Sequence, residues 1–297
     1  MKKRMLGKTG YEVSPIIYAG IVSMDESQAA SDGYVSWSID QGINYFDVAP
    51  SYGDAEVKLG NSLKPYRKSV YLACKTEKRM RDEAEKEIHN SLRLLHTDWF
   101  DNFQLHAVTS PEDVDAAFGQ GGVMELLRDL KEKGIVRKLG ISAHSERAAM
   151  ECLALYPFDT VMFPLNWMLH MGQDIGSKLT KLKEQQNFGL LGIKSFVERA
   201  WTEGDDKEGT YPKSWCKPFA LGEDALRLAA MHYSLSVLKS DLLIPPGNFE
   251  NMSFMVEHID SLLDKAMSEE ELRLLKTHFD KVKDHPFFDK NRGNWPD

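Results

Sequence analysis

Four residues in the first half of the chain could move a proton together: Asp47, Tyr52, Lys75 and His106. Asp47 closes a short apolar run, Ile43 to Phe46. Pro50 and Gly53 then impose a turn that carries Tyr52, and Asp54 is a good N-cap for the helix that follows. Val70 to Lys75 is a second apolar run ending in the lysine, and Phe100 to His106 a third ending in the histidine. The steps of 28 residues (Asp47 to Lys75) and 31 residues (Lys75 to His106) match a strand-helix-strand unit of roughly 30 residues. Polar groups at the same end of successive parallel strands form a site. A phenol is a poor acid near neutrality, with an ordinary pKa of about 10. An ammonium beside it would stabilise the phenolate and lower that value, and a carboxylate would hold the ammonium charged and aimed.

The elements that must position these groups alternate along the chain. Met5 to Pro15 reads as a hairpin around a Lys-Thr-Gly turn, and Ile16 to Ala19 as the first strand. A helix starts at Ser27 and ends by Gly42; the second strand and its loop follow, then a short helix over Glu56 to Ser62. The third strand is Val70 to Lys75, and Arg81 to Leu95 is a charged amphipathic helix. Asp98 to His106 holds the fourth strand. Val123 to Lys133 is a helix closed by Gly134. Val136 to Ser142 and Thr160 to Phe163 are the fifth and sixth strands, with a helix over 146–155 between them and another within 174–186. Gly189 to Lys194 is the seventh strand. Glu198 to Pro218 breaks the rhythm: it has no clean period and holds Trp201, Tyr211 and Trp215, with Phe219 beside it. A loop of that length is functional or mobile, and its aromatics read equally as a surface for stacking a sugar or ring, or as a lid packed on the barrel. A helix over Glu223 to Tyr233, a strand over Asp241 to Ile244, a helix from Asn251 to Asp264 and a Ser268/Glu271-capped helix to Lys283 complete the pattern, before a polar and aromatic tail to Asp297. Eight strands alternating with helices and no internal linker predict a (β/α)8 barrel, one domain over residues 1–297, with an N-terminal hairpin and a long loop after the seventh strand. An open doubly wound sheet is the alternative, but no Gly-x-Gly-x-x-Gly follows the first strand.

At this point the sequence resembles a known family. GINYFDVAPSYGDAEVKLG, VYLACKT, FDNFQLHAV and LLRDLKEKGIVRKLGIS are similar to successive segments of the aldo-keto reductases, with Asp47, Tyr52, Lys75 and His106 in the places of their catalytic tetrad. The resemblance implies reduction of a small aldehyde, ketone or sugar-like carbonyl by a nicotinamide cofactor, with Tyr52 as general acid, Lys75 tuning it, Asp47 anchoring Lys75 and His106 orienting the carbonyl oxygen. It also implies cofactor contacts. Ser142 and Asn166 match family positions for the carboxamide, although Ala143 and Met162 stand where the family has asparagine and glutamine. Lys194-Ser195-Phe196 occupies the place of an aromatic that stacks on the nicotinamide, so Lys194 is a candidate to face the site or the cofactor's pyrophosphate. After the eighth strand, Gly247 and Asn248 offer backbone amides near a helix start. That loop has no lysine or arginine for a 2′-phosphate, so NADPH, the family default, stands nearly level with NADH. His144 reads as a helix N-terminal residue beside Ser145.

Composition narrows the field. A net charge of −8 argues against a large nucleic-acid footprint. Cys74, Cys152 and Cys216 form no paired motif and read as reduced thiols, Cys74 pointing away from the barrel centre. The basic start, Met1 to Leu6, is followed by no apolar core, and no stretch approaches the ~18 apolar residues of a membrane span; the expectation is a cytoplasmic protein with small-molecule partners, and the oligomeric state stays open. Two other functions remain: a cofactor-sensing binding protein on the same barrel, motivated by the altered carboxamide set, and a lyase or isomerase using Lys75 as a Schiff base.

Overall fold

Each apolar run that ends in a chemistry-bearing residue becomes a strand in the computed structural model, which describes residues 1–288. Residues 289–297, the end of the polar and aromatic tail, lie outside the described residues. Eight parallel strands follow one another in the order of the sequence: β1 (Tyr18–Ala19), β2 (Tyr45–Asp47), β3 (Tyr71–Thr76), β4 (Asn102–Val108), β5 (Leu139–Ala143), β6 (Thr160–Phe163), β7 (Gly189–Gly192) and β8 (Leu242–Leu243). The ring closes between its ends. Ile16 bridges to Leu243 in parallel; Ile17 N donates to Leu243 O at 3.1 Å, and Leu243 N to Pro15 O at 2.8 Å. The result is a (β/α)8 barrel, not an open sheet.

The core sits between the strands and the ring of helices, because each strand offers one face inward and one outward. Cys74 illustrates the outward face: its thiol lies 3.7 Å from Glu56 Oε1 on the helix Ala55–Leu63. The next residue, Lys75, points inward and is fully buried. The hairpin pairs Arg4–Met5 with Glu12–Val13 and closes the end of the barrel where the strands begin. Its turn approaches β7 so closely that a Cβ on Gly7 would lie 2.4 Å from backbone atoms of Phe188 and Gly189, at a φ of 47° that favours glycine. Lys8 N donates to Asn187 O there, at 2.6 Å.

Helix caps fall where the sequence implies at Ser27 and Ser268, but the side chain of Asp54 makes no capping hydrogen bond. Ser27, Ser145 and Ser268 each accept from the backbone three residues on, and Ser268 with Glu271 forms the full capping box. Outside the segment after β7, two α-helices escape the sequence reading, Pro111–Phe118 behind Ser110 and Trp167–Gln173 behind Asn166. Both are short, so neither completes an apolar stripe, although each carries a capping side chain and the first a proline at its start. The segment after β7 is a second correction. It has no helical or strand period, yet it is tied down: Val197–Arg199 pairs antiparallel with Lys217–Pro218, and a short helix covers Lys207–Thr210. No described helix is long and apolar enough to cross a membrane.

Candidate active site

Asp47 ends its strand as the sequence implies, whereas β3 runs one residue past Lys75 and β4 two past His106, and the carboxyl ends of the three strands share one rim. Lys75 Nζ, fully buried, donates to Asp47 Oδ1 and lies 3.3 Å from Tyr52 OH and 3.4 Å from Val48 O. Gln104, inward on β4, donates from Nε2 to the other Asp47 oxygen at 3.2 Å. The sequence reading did not single out Gln104, although its position two residues before His106 places it on the same inward face. The Lys75 amine is thus surrounded by oxygens and gives no approach for an imine, which argues against the Schiff-base reading.

The electrostatics follow from burial and from that pair. Burial disfavours the Lys75 ammonium, but Asp47 and Tyr52 outweigh it and hold its pKa above the ordinary lysine value. Burial pushes the Tyr52 phenol up and Lys75 pulls it back; burial wins. The expected lowering by Lys75 is therefore present but outweighed in this structure. The phenol carries its proton throughout the neutral range. His106 is pushed down to about 2 by burial, then by the charges of Lys75, Arg79 and Lys194, so its ring is neutral. Its Nδ1 lies 3.5 Å from Ser51 Oγ and 3.2 Å from Glu77 Oε1, which leaves the Nε2 edge for the pocket. The Tyr52 and His106 rings meet edge to face with centroids 5.9 Å apart.

These groups line a pocket together with Ser142, Met162, Lys194, Lys213, Trp215 and Gly247. Ser142 and Met162, register partners on β5 and β6, both line it. Asn166 is buried and caps the Trp167 helix through Oδ1, while its Nδ2 has no hydrogen-bond partner. Gly247 borders both this pocket and a neighbouring one lined by Tyr34, Tyr211, Asn248 and Phe249. The Asn248 backbone amide, expected to be free for an anion, donates to Pro246 O at 2.7 Å, and its side chain caps the helix Phe249–Leu262, which starts two residues earlier than the pattern implied.

Two groups arrive from a distance in sequence. Lys213, from the segment after β7, borders the pocket against Gly247, donating to Glu26 Oε1 at 2.7 Å and to Val22 O at 3.3 Å. The loop after β8 has no basic residue of its own, but this one is brought to it. His144 proves to be more than a helix-start residue: its Nε2 lies 3.0 Å from Lys194 Nζ and its ring stacks on Trp215 with centroids 6.2 Å apart. The aromatics of the long segment divide by position. Phe219 is buried against Trp167, Trp201 donates to Ser214 O, and Trp215 stands 67% exposed at the pocket.

Comparison with known proteins identifies the family of the fold. The model of the Aldo/keto reductase family matches residues 19–230. The chain is 27% identical over 238 residues to the aldo-keto reductase YhdN of Bacillus subtilis, covering 72% of this chain and 70% of that protein. It is 29% identical over 157 residues to the "Uncharacterized oxidoreductase YqkF" of Bacillus subtilis, covering 48% of this chain and 49% of that protein. With D-arabinose 1-dehydrogenase of Saccharomyces cerevisiae it shares 27% identity over 185 residues, 56% of this chain and 50% of that protein. The last two matches span about half the length of those relatives. Among solved structures, the holo form of the aldo-keto reductase AKR11C1 from Bacillus halodurans superposes with a TM-score of 0.71 at 20% identity, covering 94% of this chain and 96% of that one. The Bombyx mori aldo-keto reductase AKR2E4 in complex with NADP gives 0.68 at 16% identity, covering 99% and 98%. At such identities the structural likeness is one of fold. The family model, spanning most of the barrel and all three strands that carry Asp47, Lys75 and His106, decides the assignment: the chain belongs to the aldo/keto reductase family.

Proposed function

We propose that this protein is a nicotinamide-dependent oxidoreductase that reduces a small carbonyl compound to its alcohol, with Tyr52 as the proton donor. The observation that carries the reading is the Lys75 amine, 3.3 Å from the Tyr52 hydroxyl while bound to buried Asp47. As the carbonyl becomes an alkoxide, a proton must arrive on its oxygen. Tyr52 holds that proton, and the fixed ammonium behind it stabilises the phenolate left when the proton goes. His106, neutral and turned by its Nδ1 contacts, presents Nε2 to the same oxygen. Asp47 and Gln104 keep the lysine in place.

No side chain here supplies hydride, and a nicotinamide bound in the pocket would. The residues fit such a group: Ser142 and Gly247 line the pocket, and Asn166, buried outside its lining, has an Nδ2 with no hydrogen-bond partner. Ser142 and Asn166 would hold the carboxamide, and Gly247 and Asn248 would border the phosphates. Lys213 is one cation near that end, already paired with Glu26, and Glu250 lines the same pocket. That is thin compensation for a 2′-phosphate dianion, so NADH stands beside NADPH, and the ratio of their dissociation constants separates them.

The test is Tyr52→Phe and Lys75→Met with a carbonyl substrate at saturation. A positioned acid contributes about 10²- to 10⁴-fold, so kcat should fall by that order in Tyr52→Phe while cofactor affinity holds. Turnover of Tyr52→Phe at the parent rate overturns the acid role. A second reading, a cofactor-sensing binding protein, draws on Ala143 and Met162 in the carboxamide region; tight cofactor binding with no turnover of any carbonyl would favour it.

A further inference from the structure

Most basic side chains around the pocket have a carboxylate partner: Lys75 has Asp47, Arg79 has Asp113 and Lys213 has Glu26. Lys194 does not. Among the described residues no carboxylate lies within ion-pair distance of it. It follows β7 in the left-handed backbone region, at a φ of 61°, a conformation that costs a lysine on the order of 1 kcal/mol. Its amine lies 3.0 Å from Nε2 of His144, 5.8 Å from the centroid of Trp215 and 5.3 Å from that of Phe287. It lines the same pocket as Tyr52 and His106. Burial lowers its pKa to about 8, and burial with the Lys194 charge pushes His144 well below the ordinary range. So His144 is the neutral acceptor and Lys194 the charge.

A desolvated ammonium with no counter-charge is costly, and the partner it lacks is an anion that enters the pocket. We propose that Lys194 and His144 form an anion-binding subsite, and that the substrate is a carbonyl compound bearing a carboxylate. The proposal rests on the oxidoreductase reading above: the carbonyl goes to Tyr52 and His106, the carboxylate to Lys194. The surroundings favour an organic acid over the cofactor's phosphates. Trp215 and Phe287 flank the amine with ring faces, suited to the body of an organic molecule. The helix start at Asn248, a feature of a phosphate site, lines the neighbouring pocket and not this one, and Gly247 borders both.

The experiment compares 4-carboxybenzaldehyde with its methyl ester on the parent, Lys194→Met and Lys194→Arg, each saturated with cofactor. The parent should prefer the acid. In Lys194→Met, kcat/KM should fall about tenfold or more for the acid and stay within about twofold for the ester. Lys194→Arg should recover part of the loss, and the cofactor's dissociation constant, read by fluorescence, should not move. Equal losses on both substrates, a parent preference for the ester, or a cofactor affinity weakened about tenfold in Lys194→Met would overturn the proposal, the last by giving the lysine to the cofactor. If the parent reduces neither aldehyde, the reductase reading is what fails. Calorimetric titration of the cofactor-loaded protein with benzoate then decides the subsite alone: binding several-fold tighter in the parent than in Lys194→Met supports it, and equal or absent binding overturns it.

Discussion

Nδ1 of His106 sits between two groups that ask opposite things of it. Glu77 can only accept, and so favours a proton on Nδ1; Ser51 can donate, and so favours the proton on Nε2. A neutral ring polarises a carbonyl only with the proton on Nε2. Ser51 is then the partner that reduction requires, and half-exposed Glu77 opposes it. Removing that charge is expected to help. Glu77→Gln should raise kcat for carbonyl reduction about two- to threefold, the size of a solvent-screened interaction of roughly 0.5 kcal/mol. A fall of about tenfold would make the Glu77-bonded tautomer the working one. The sequence displayed His106 through its strand and spacing. It could not display Glu77 in this role, because contact across two strand ends depends on how the strands are staggered.

At the level of elements, the segment after β7 turns from a periodless stretch into a clasp. Arg199 grips Asp205 with both terminal nitrogens, at 2.6 and 2.8 Å, and Lys217 lies 3.2 Å from the same carboxylate. Arg199 foremost, with Thr202 and Lys217, holds that carboxyl far below the usual range. Paired charged hydrogen bonds of this kind contribute on the order of 1.5 kcal/mol or more each. Asp205→Asn should therefore loosen the ribbon of Val197–Arg199 and Lys217–Pro218. Limited proteolysis within 200–216 should speed up about tenfold if cleavage tracks local opening, and unchanged digestion would show that the ribbon's backbone pairing suffices. Periodicity could not reveal the clasp, since its parts are single residues joined across a loop.

The whole molecule carries an acid sensitivity through its pocket. His106 and His144 are neutral when folded, at pKa values pushed down mainly by burial. An unfolded histidine takes a proton near pH 6.5. Below that value, down to the folded pKa, the unfolded chain binds more protons than the folded one, so stability falls as pH falls. The ceiling is about 1.4 kcal/mol per pH unit for each histidine. Chemical denaturation at about pH 7 and about pH 5.5 should show this loss, and His144→Asn should show a smaller one. An identical pH dependence in parent and variant would mean that His144 is charged in the folded protein.

By itself the sequence determined the eightfold strand-helix alternation and the order of the tetrad along it. Strand period, caps and strand-end residues are local, and a parallel barrel turns equal spacing into one shared rim. Tertiary structure alone decided the rest. The packing of distant loops brought Lys213 beside Gly247 and His144 against Lys194, and consumed the Asn248 amide in a turn. Burial, which belongs to the folded whole and to no residue, decided that Tyr52 keeps its proton against the pull of Lys75.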